Sequence, residues 1–360
     1  MRHEELETLK KLLVTFVKIG ISLGILAYLV RDAQKHEVFG DLLRQPKDWP
    51  VLGLAVVACF CAVLLTLVRW CYLVRALDLP FRLGEALRLG FLGYLFNLAP
   101  MGIMGGDLLK AFLLARQQRE HQARAVASVA VDRLIGLYML FVVASVAILA
   151  TRFWDSPYAT IQMTCKAVLC VTAVSTAMIV YVLLPGIDHK VLRRHLVRIP
   201  YVGPAIWRLV DAVWMYRRNR SVLFVSAAMS VGVHALFTVG VFLIASGLYD
   251  AVPTLGMHFI FSPLSAATGI VPLPVGPFEY ALDRLYVHAP MPGGEAMKPG
   301  QGLMVALGYR LATVLIAAVG ICYYLASRQE VSTVLEETAT GPQAGIGSKD
   351  QRRPEPEHVS

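Results

Sequence analysis

Three motifs set charged residues within or beside apolar stretches, and the chemistry open to them is ion pairing and anion binding. The first runs Asn97-Leu98-Ala99-Pro100-Met101-Gly102-Ile103-Met104-Gly105-Gly106-Asp107-Leu108-Leu109-Lys110. Pro100 and Gly102 mark a break, while Gly105 and Gly106 let the backbone turn and expose amide N–H groups at the start of the half-helix that follows. The helix dipole favours an anion there. Asp107 has two readings, a cap on that half-helix or a contact to substrate. The run does not match G-x-x-x-x-G-K-[ST] and follows no soluble strand, so it is not a nucleotide loop.

The second motif, Ser128-Val129-Ala130-Val131-Asp132-Arg133-Leu134-Ile135-Gly136-Leu137, sets an acid and a base at the beginning of a long apolar helix. Adjacent helical positions point about 100° apart, so Asp132 and Arg133 need not pair with each other. One can hold structure while the other meets substrate; the plain alternative is that both snorkel to the interface. The third motif, Pro272-Leu273-Pro274-Val275-Gly276-Pro277-Phe278-Glu279-Tyr280, places Glu279 just after a turn built on Pro272, Pro274 and Gly276, with Asp283 one helical turn further. Arg310 lies well inside the last apolar stretch, and its partner must come from the protein. Glu279 is the first candidate and Asp132 the second; a phosphate held between Arg133 and Arg310 is the functional version. Other polar groups carry less. His234 reads as a hydrogen-bonded core histidine, Arg69 with Trp70 as an interfacial anchor, and residues 207–220 as an amphipathic surface helix. The six cysteines form no C-x-x-C pair and stand at no metal-ligand spacing, so they read as small buried hydrophobes; no metal or cofactor is expected.

The elements that must position these residues follow from composition. With 56% hydrophobic and 16% charged residues and a mean hydropathy of +0.58, neither a soluble globule nor a disordered chain fits. The net charge of +9 points to an anionic lipid surface rather than to nucleic acid. Six stretches, 12–30, 51–68, 126–150, 165–184, 222–248 and 302–326, are long enough to span about 30 Å of hydrocarbon. Two more, 83–114 and 255–278, are broken by Pro and Gly at 100–106 and 272–276, and each reads as a helix that enters and turns back. The segment 185–220 holds Lys190, Arg193, Arg194, Arg198, Arg208, Arg217, Arg218 and Arg220 against Asp188 and Asp211, which places it in the cytoplasm. From there the basic loops around Arg75 and Arg119 also fall inside only if 83–114 re-enters, and both termini come out cytoplasmic. The loop 31–48, with Arg31, Lys35, Arg44 and Lys47, goes against the rule.

The expected architecture is therefore an all-α polytopic membrane protein. About six spanning helices and two re-entrant segments form an inverted repeat, 51–150 opening inward and 222–326 opening outward, with eight plain spans as the alternative. Residues 1–11 form a cytoplasmic N-terminus without a cleavable leader, 12–328 the transmembrane domain and 329–360 a disordered cytoplasmic tail.

The patterns N-x-x-P-x-G-x-x-G-G-D-x-x-K at 97–110, S-V-x-x-D-R-x-x-G-L at 128–137 and P-x-P-x-G-x-x-E at 272–279 resemble the lysylphosphatidylglycerol synthase transmembrane-region family, over roughly residues 10 to 328. That is a flippase-like polytopic domain found alone or fused to an aminoacyl-phosphatidylglycerol synthase. Pro277 stands where a second glycine is expected. The resemblance implies a protein of the bacterial or archaeal inner membrane that moves a lipid between leaflets. It singles out Asn97, Pro100, Gly105, Gly106, Asp107, Lys110, Asp132, Arg133, Gly136, Gly276 and Glu279. With only a polar stretch after residue 326, the chain resembles a stand-alone member without the synthase domain.

The leading expectation is a lipid transporter, not an enzyme. Arg133 and Arg310 meet the head-group phosphate, and Asp107, Asp132 or Glu279 meet any amine. Its partners are membrane lipids, namely an anionic or aminoacylated phospholipid or an isoprenoid lipid, and a lipid-modifying enzyme. The alternative is an accessory protein or enzyme of isoprenoid, hopanoid or glycolipid metabolism, against which stands the lack of a D-D-x-x-D cluster, a metal set or a nucleophile with its base.

Overall fold

A computed structural model describes residues 2–98, 105–184, 193–194, 198, 203–271, 273, 275–291 and 297–326. These residues form twelve α-helices and no strand: α1 (Arg2–Lys35), α2 (Val38–Arg44), α3 (Trp49–Arg75), α4 (Leu83–Leu98), α5 (Gly106–Gln117), α6 (Gln122–Thr151), α7 (Ala159–Leu183), α8 (Gly203–Trp214), α9 (Arg220–Leu248), α10 (Leu255–Ala267), α11 (Pro277–Val287) and α12 (Gln301–Ala326). Five of them, α3, α6, α7, α9 and α12, are long and apolar enough to cross a membrane. The first expected span lies within α1. Pro100, Gly102, Pro272 and Pro274, together with residues 327–360 and most of 185–202, fall outside the described residues.

Apolar surface gains little by leaving lipid for a neighbouring helix, so close packing and interhelical hydrogen bonds hold such a bundle. The α3–α9 contact shows the first of these. A Cβ on Gly240 would stand 2.5 Å from Cys59 Sγ, one on Gly247 2.8 Å from Leu52 and one on Gly232 3.1 Å from Leu65. Residue numbers rise along α3 as they fall along α9, so the two helices are antiparallel. Asp48 starts α3 by accepting the Val51 N–H, and its own N–H donates to Gly247 O at the end of α9.

Each Pro/Gly-broken stretch is a pair of short helices folded against each other. With 16, 12, 13 and 11 residues, α4, α5, α10 and α11 reach about 17 to 24 Å each, too short to cross alone. In the first hairpin a Cβ on Gly106 would overlap the Gly93 carbonyl. Its two ends meet: Gln118 Nε2 donates to Pro80 O at 3.0 Å, and Arg124 reaches Leu77 O at 3.4 Å. In the second hairpin His258 Nε2 and Tyr286 Oη, near the entrance and the exit, lie 2.6 Å apart. Each chain segment thus returns to the face it entered. The first hairpin has its base beside the start of α6. The second packs near the other end of α6, where Phe153 meets Phe261 and Gly256 faces Thr151.

The packing repeats. α3 pairs with α9, α4 packs on α12 as α10 packs on α6, and α5 packs on α6 as α11 packs on α12. This is an inverted two-fold arrangement, with one apolar cluster centred on each hairpin. α7 and α1 stand outside the two-fold. α7 packs on α6 and α8. α1 lies against the second hairpin, with Ile25 beside Gly276 and Ala33 beside Gly300.

Candidate functional site

The first hairpin brings its motif to the second. Gly105 is the N-cap of α5, and Asn97 Oδ1 accepts the Gly106 N–H at 2.7 Å, joining the two sides of the break. The N–H groups of Leu108 and Leu109 turn back to Gly105 O. The amides expected to face an anion are thus largely taken by the turn itself, and the capacity to bind one passes to side chains. Asp107, in the first turn of α5, does not cap it. Its Oδ2 meets Arg133 Nη2 at 2.5 Å, and its Oδ1 stands 3.7 Å from Lys110 Nζ. The Lys110 side chain is buried, and its ammonium lies 4.5 Å from the centre of the Trp70 ring.

Asp132 and Arg133 diverge as adjacent helical residues must. Asp132 is buried and turns towards α3, accepting from Arg69 Nε at 2.8 Å. Arg133 turns towards α5 and keeps 58% of its side chain exposed. Neither snorkels away from the protein. Arg69 also donates to Ser230 Oγ and to the Asp132 carbonyl. It is a buried tie between α3, α6 and α9, not the interfacial anchor expected for it. Gly136 makes room: a Cβ there would stand 3.4 Å from Arg69 Nη2. His234 lies 2.9 Å from Gly136 O and joins the same network as a core histidine.

The second hairpin builds a related pair. Gly276 adopts φ 116° as the N-cap of α11, a conformation that suits glycine, and Pro277 follows at the first helical position. The extra proline thus sits where its missing N–H costs nothing. Glu279 is fully buried; Oε2 accepts the Gly276 N–H at 2.8 Å, and Oε1 accepts from Arg310 Nε at 2.6 Å. Arg310 therefore meets the first of its two candidate partners. Its guanidinium lies 5.8 Å from the Phe278 ring, which stacks on Tyr309. Asp283, also buried, accepts from Gly300 and Leu303 N–H and anchors the start of α12.

The two ion pairs occupy equivalent places. Asp107 and Glu279 each lie in the first turn of the second hairpin helix, and Arg133 and Arg310 each lie about three turns into the span that follows. Arg133 adjoins the Arg69 end of α3, whereas Tyr309, next to Arg310, packs on the cluster around Cys59. The ten residues between are about 15 Å along the helix. Each arginine has its own carboxylate, so a phosphate shared by both would have to open both pairs. Among the described residues no group of three or more His, Cys, Asp and Glu side chains could hold a metal ion.

Residues 15–320 match the family model described as the lysylphosphatidylglycerol synthase TM region. Neither a curated protein nor a solved structure matches the chain.

Proposed function

The chain belongs to the lysylphosphatidylglycerol synthase TM region family, a family of lipid-handling membrane proteins, and from that premise we propose that it carries a polar lipid between the leaflets of a bacterial or archaeal inner membrane. The observation that carries this reading is the pair of equivalent arginine–carboxylate contacts, each at the tip of a hairpin and the two hairpins rooted on opposite faces. A head-group crossing hydrocarbon loses its hydration, at a cost of several kcal/mol for a charge. Arg133, more than half exposed, supplies hydrogen bonds in place of water while the acyl tails stay in lipid. Arg75, Arg124, Arg217 and Arg220 lie near the end of α3, the start of α6 and the start of α9, which supports taking this face as the cytoplasmic one. The protein acts as a carrier, without a bond-making step, and a lipid-modifying enzyme supplies or consumes its cargo.

Leaflet exchange of labelled phospholipid in reconstituted vesicles tests this reading. The wild type is expected to exchange lipid well above empty vesicles. Arg133→Ala is expected to lower the rate at least tenfold, about 1.4 kcal/mol of barrier. Equal rates for wild type, variant and empty vesicles would refute transport.

A further inference from the structure

The charges at the first hairpin do not balance. Lys110 and Arg133 both face Asp107, and Arg69 faces Asp132, so in these contacts among the described residues three basic side chains share two carboxylates, and residues 99–104 of the break carry no charge. At the second hairpin Glu279 and Arg310 match one to one. Asp132 is committed to Arg69 through a short contact of two buried side chains, which leaves Asp107 to serve both Arg133 and Lys110. It serves them incompletely: Asp107 Oδ1 is buried and makes no hydrogen bond, and Lys110 Nζ lies 3.7 Å from it. A surplus positive charge among buried groups is costly, and it is relieved either when Lys110 gives up its proton or when an anion joins the cluster. Arg133, Asn97 and Gly105 are exposed beside this cluster, so an anion can approach it through Arg133.

We propose that the surplus charge of Lys110 selects the head-group: the first-hairpin site holds a singly charged phosphate ester and rejects a head-group whose phosphate is already balanced by an amine. The phosphate takes one hydrogen-bonding edge of the Arg133 guanidinium and lies within reach of the Lys110 ammonium, and with it the cluster becomes neutral. An aminoacylated lipid with one ammonium would leave the surplus in place, and a lysyl lipid, with two, would add to it. This inference rests on the lipid-carrier reading for its cargo, but its charge argument concerns binding alone.

The test measures binding and transport separately on the full-length protein. Purified protein is equilibrated with equal amounts of phosphatidylglycerol, phosphatidylethanolamine and lysylphosphatidylglycerol, and retained lipid is read by native mass spectrometry. Parallel vesicles of phosphatidylcholine carry a labelled trace of each lipid for leaflet exchange. Phosphatidylglycerol is expected to be retained about tenfold over the other two. Lys110→Met should bring the three within about twofold, and Lys110→Arg should keep the preference. Preference for the lysyl or ethanolamine lipid in the wild type, or an unchanged preference in Lys110→Met, would overturn the inference. Retention of inorganic phosphate without any lipid would overturn the ester. Anionic preference in binding with no exchange of any lipid would uphold the charge assignment and remove the transport reading instead. The comparison of lipids on the wild type stands even where a variant fails to fold.

Discussion

Arg69 shows how much one buried guanidinium can fix. It joins α3 to α6 through Asp132 and to α9 through Ser230, so the rotation of α6, and with it the direction of Arg133, depends on it. Breaking a buried pair from one side leaves an uncompensated charge and costs about 3–5 kcal/mol. Arg69→Met is therefore expected to lower the thermal unfolding midpoint of purified protein sharply, while Arg69→Met with Asp132→Asn recovers much of the loss. Losses that simply add would show that the two residues are not coupled. The sequence exposed this site unevenly. Arg310 stands so far inside an apolar stretch that a carboxylate partner had to exist, and Glu279 was identifiable. Arg69 follows directly on the last apolar residue of its stretch, where hydropathy reads an interface. The available signal was Asp132, an acid inside a span with no base three or four residues away on its own helix face.

At the scale of elements, the Pro/Gly breaks were legible because few other residues end a helix inside an apolar run. The return of the first hairpin to its own face was legible only through the basic loops on both sides of 83–114. What sequence could not give was the close approach that closes the hairpins, since Gly93 against Gly106 and His258 against Tyr286 are contacts between distant positions. The anion-binding amides failed for a related reason: the turn consumes them locally, through Asn97 and Gly105. Re-entry has a direct consequence. In a cysteine-free background, Pro80→Cys with Gln118→Cys should cross-link efficiently with a short thiol reagent in native membranes. The hydrogen bond between these residues brings their backbones close. A plain crossing would separate them by about 30 Å, and failure to cross-link would restore eight plain spans.

For the molecule as a whole, the informative feature is where the two-fold fails. The core pairs α3 with α9 and each hairpin with the opposite half, yet the two equivalent ion pairs differ in exposure: Arg133 and Asp107 are each more open than their counterparts Arg310 and Glu279. The difference follows α1, which packs on α11 and α12. Asp32 at the end of α1 receives Arg284 at 2.8 Å, and Asp41 on α2 receives Lys298 at 2.8 Å. The Lys298–Asp41 pair is exposed and worth little by itself, whereas the Arg284–Asp32 pair is part-buried and Leu29 and Ala33 of α1 are fully buried. If carriage requires the second pair to open in its turn, α1 must move away from Gly276. Joining Asp32→Cys to Arg284→Cys with a short thiol reagent is then expected to stop leaflet exchange while lipid retention at Lys110 and Arg133 persists. Reversal of the link by a reductant should restore the rate. Undiminished exchange with the link in place would mean that α1 is a fixed wall and that lipid passes by the first hairpin alone.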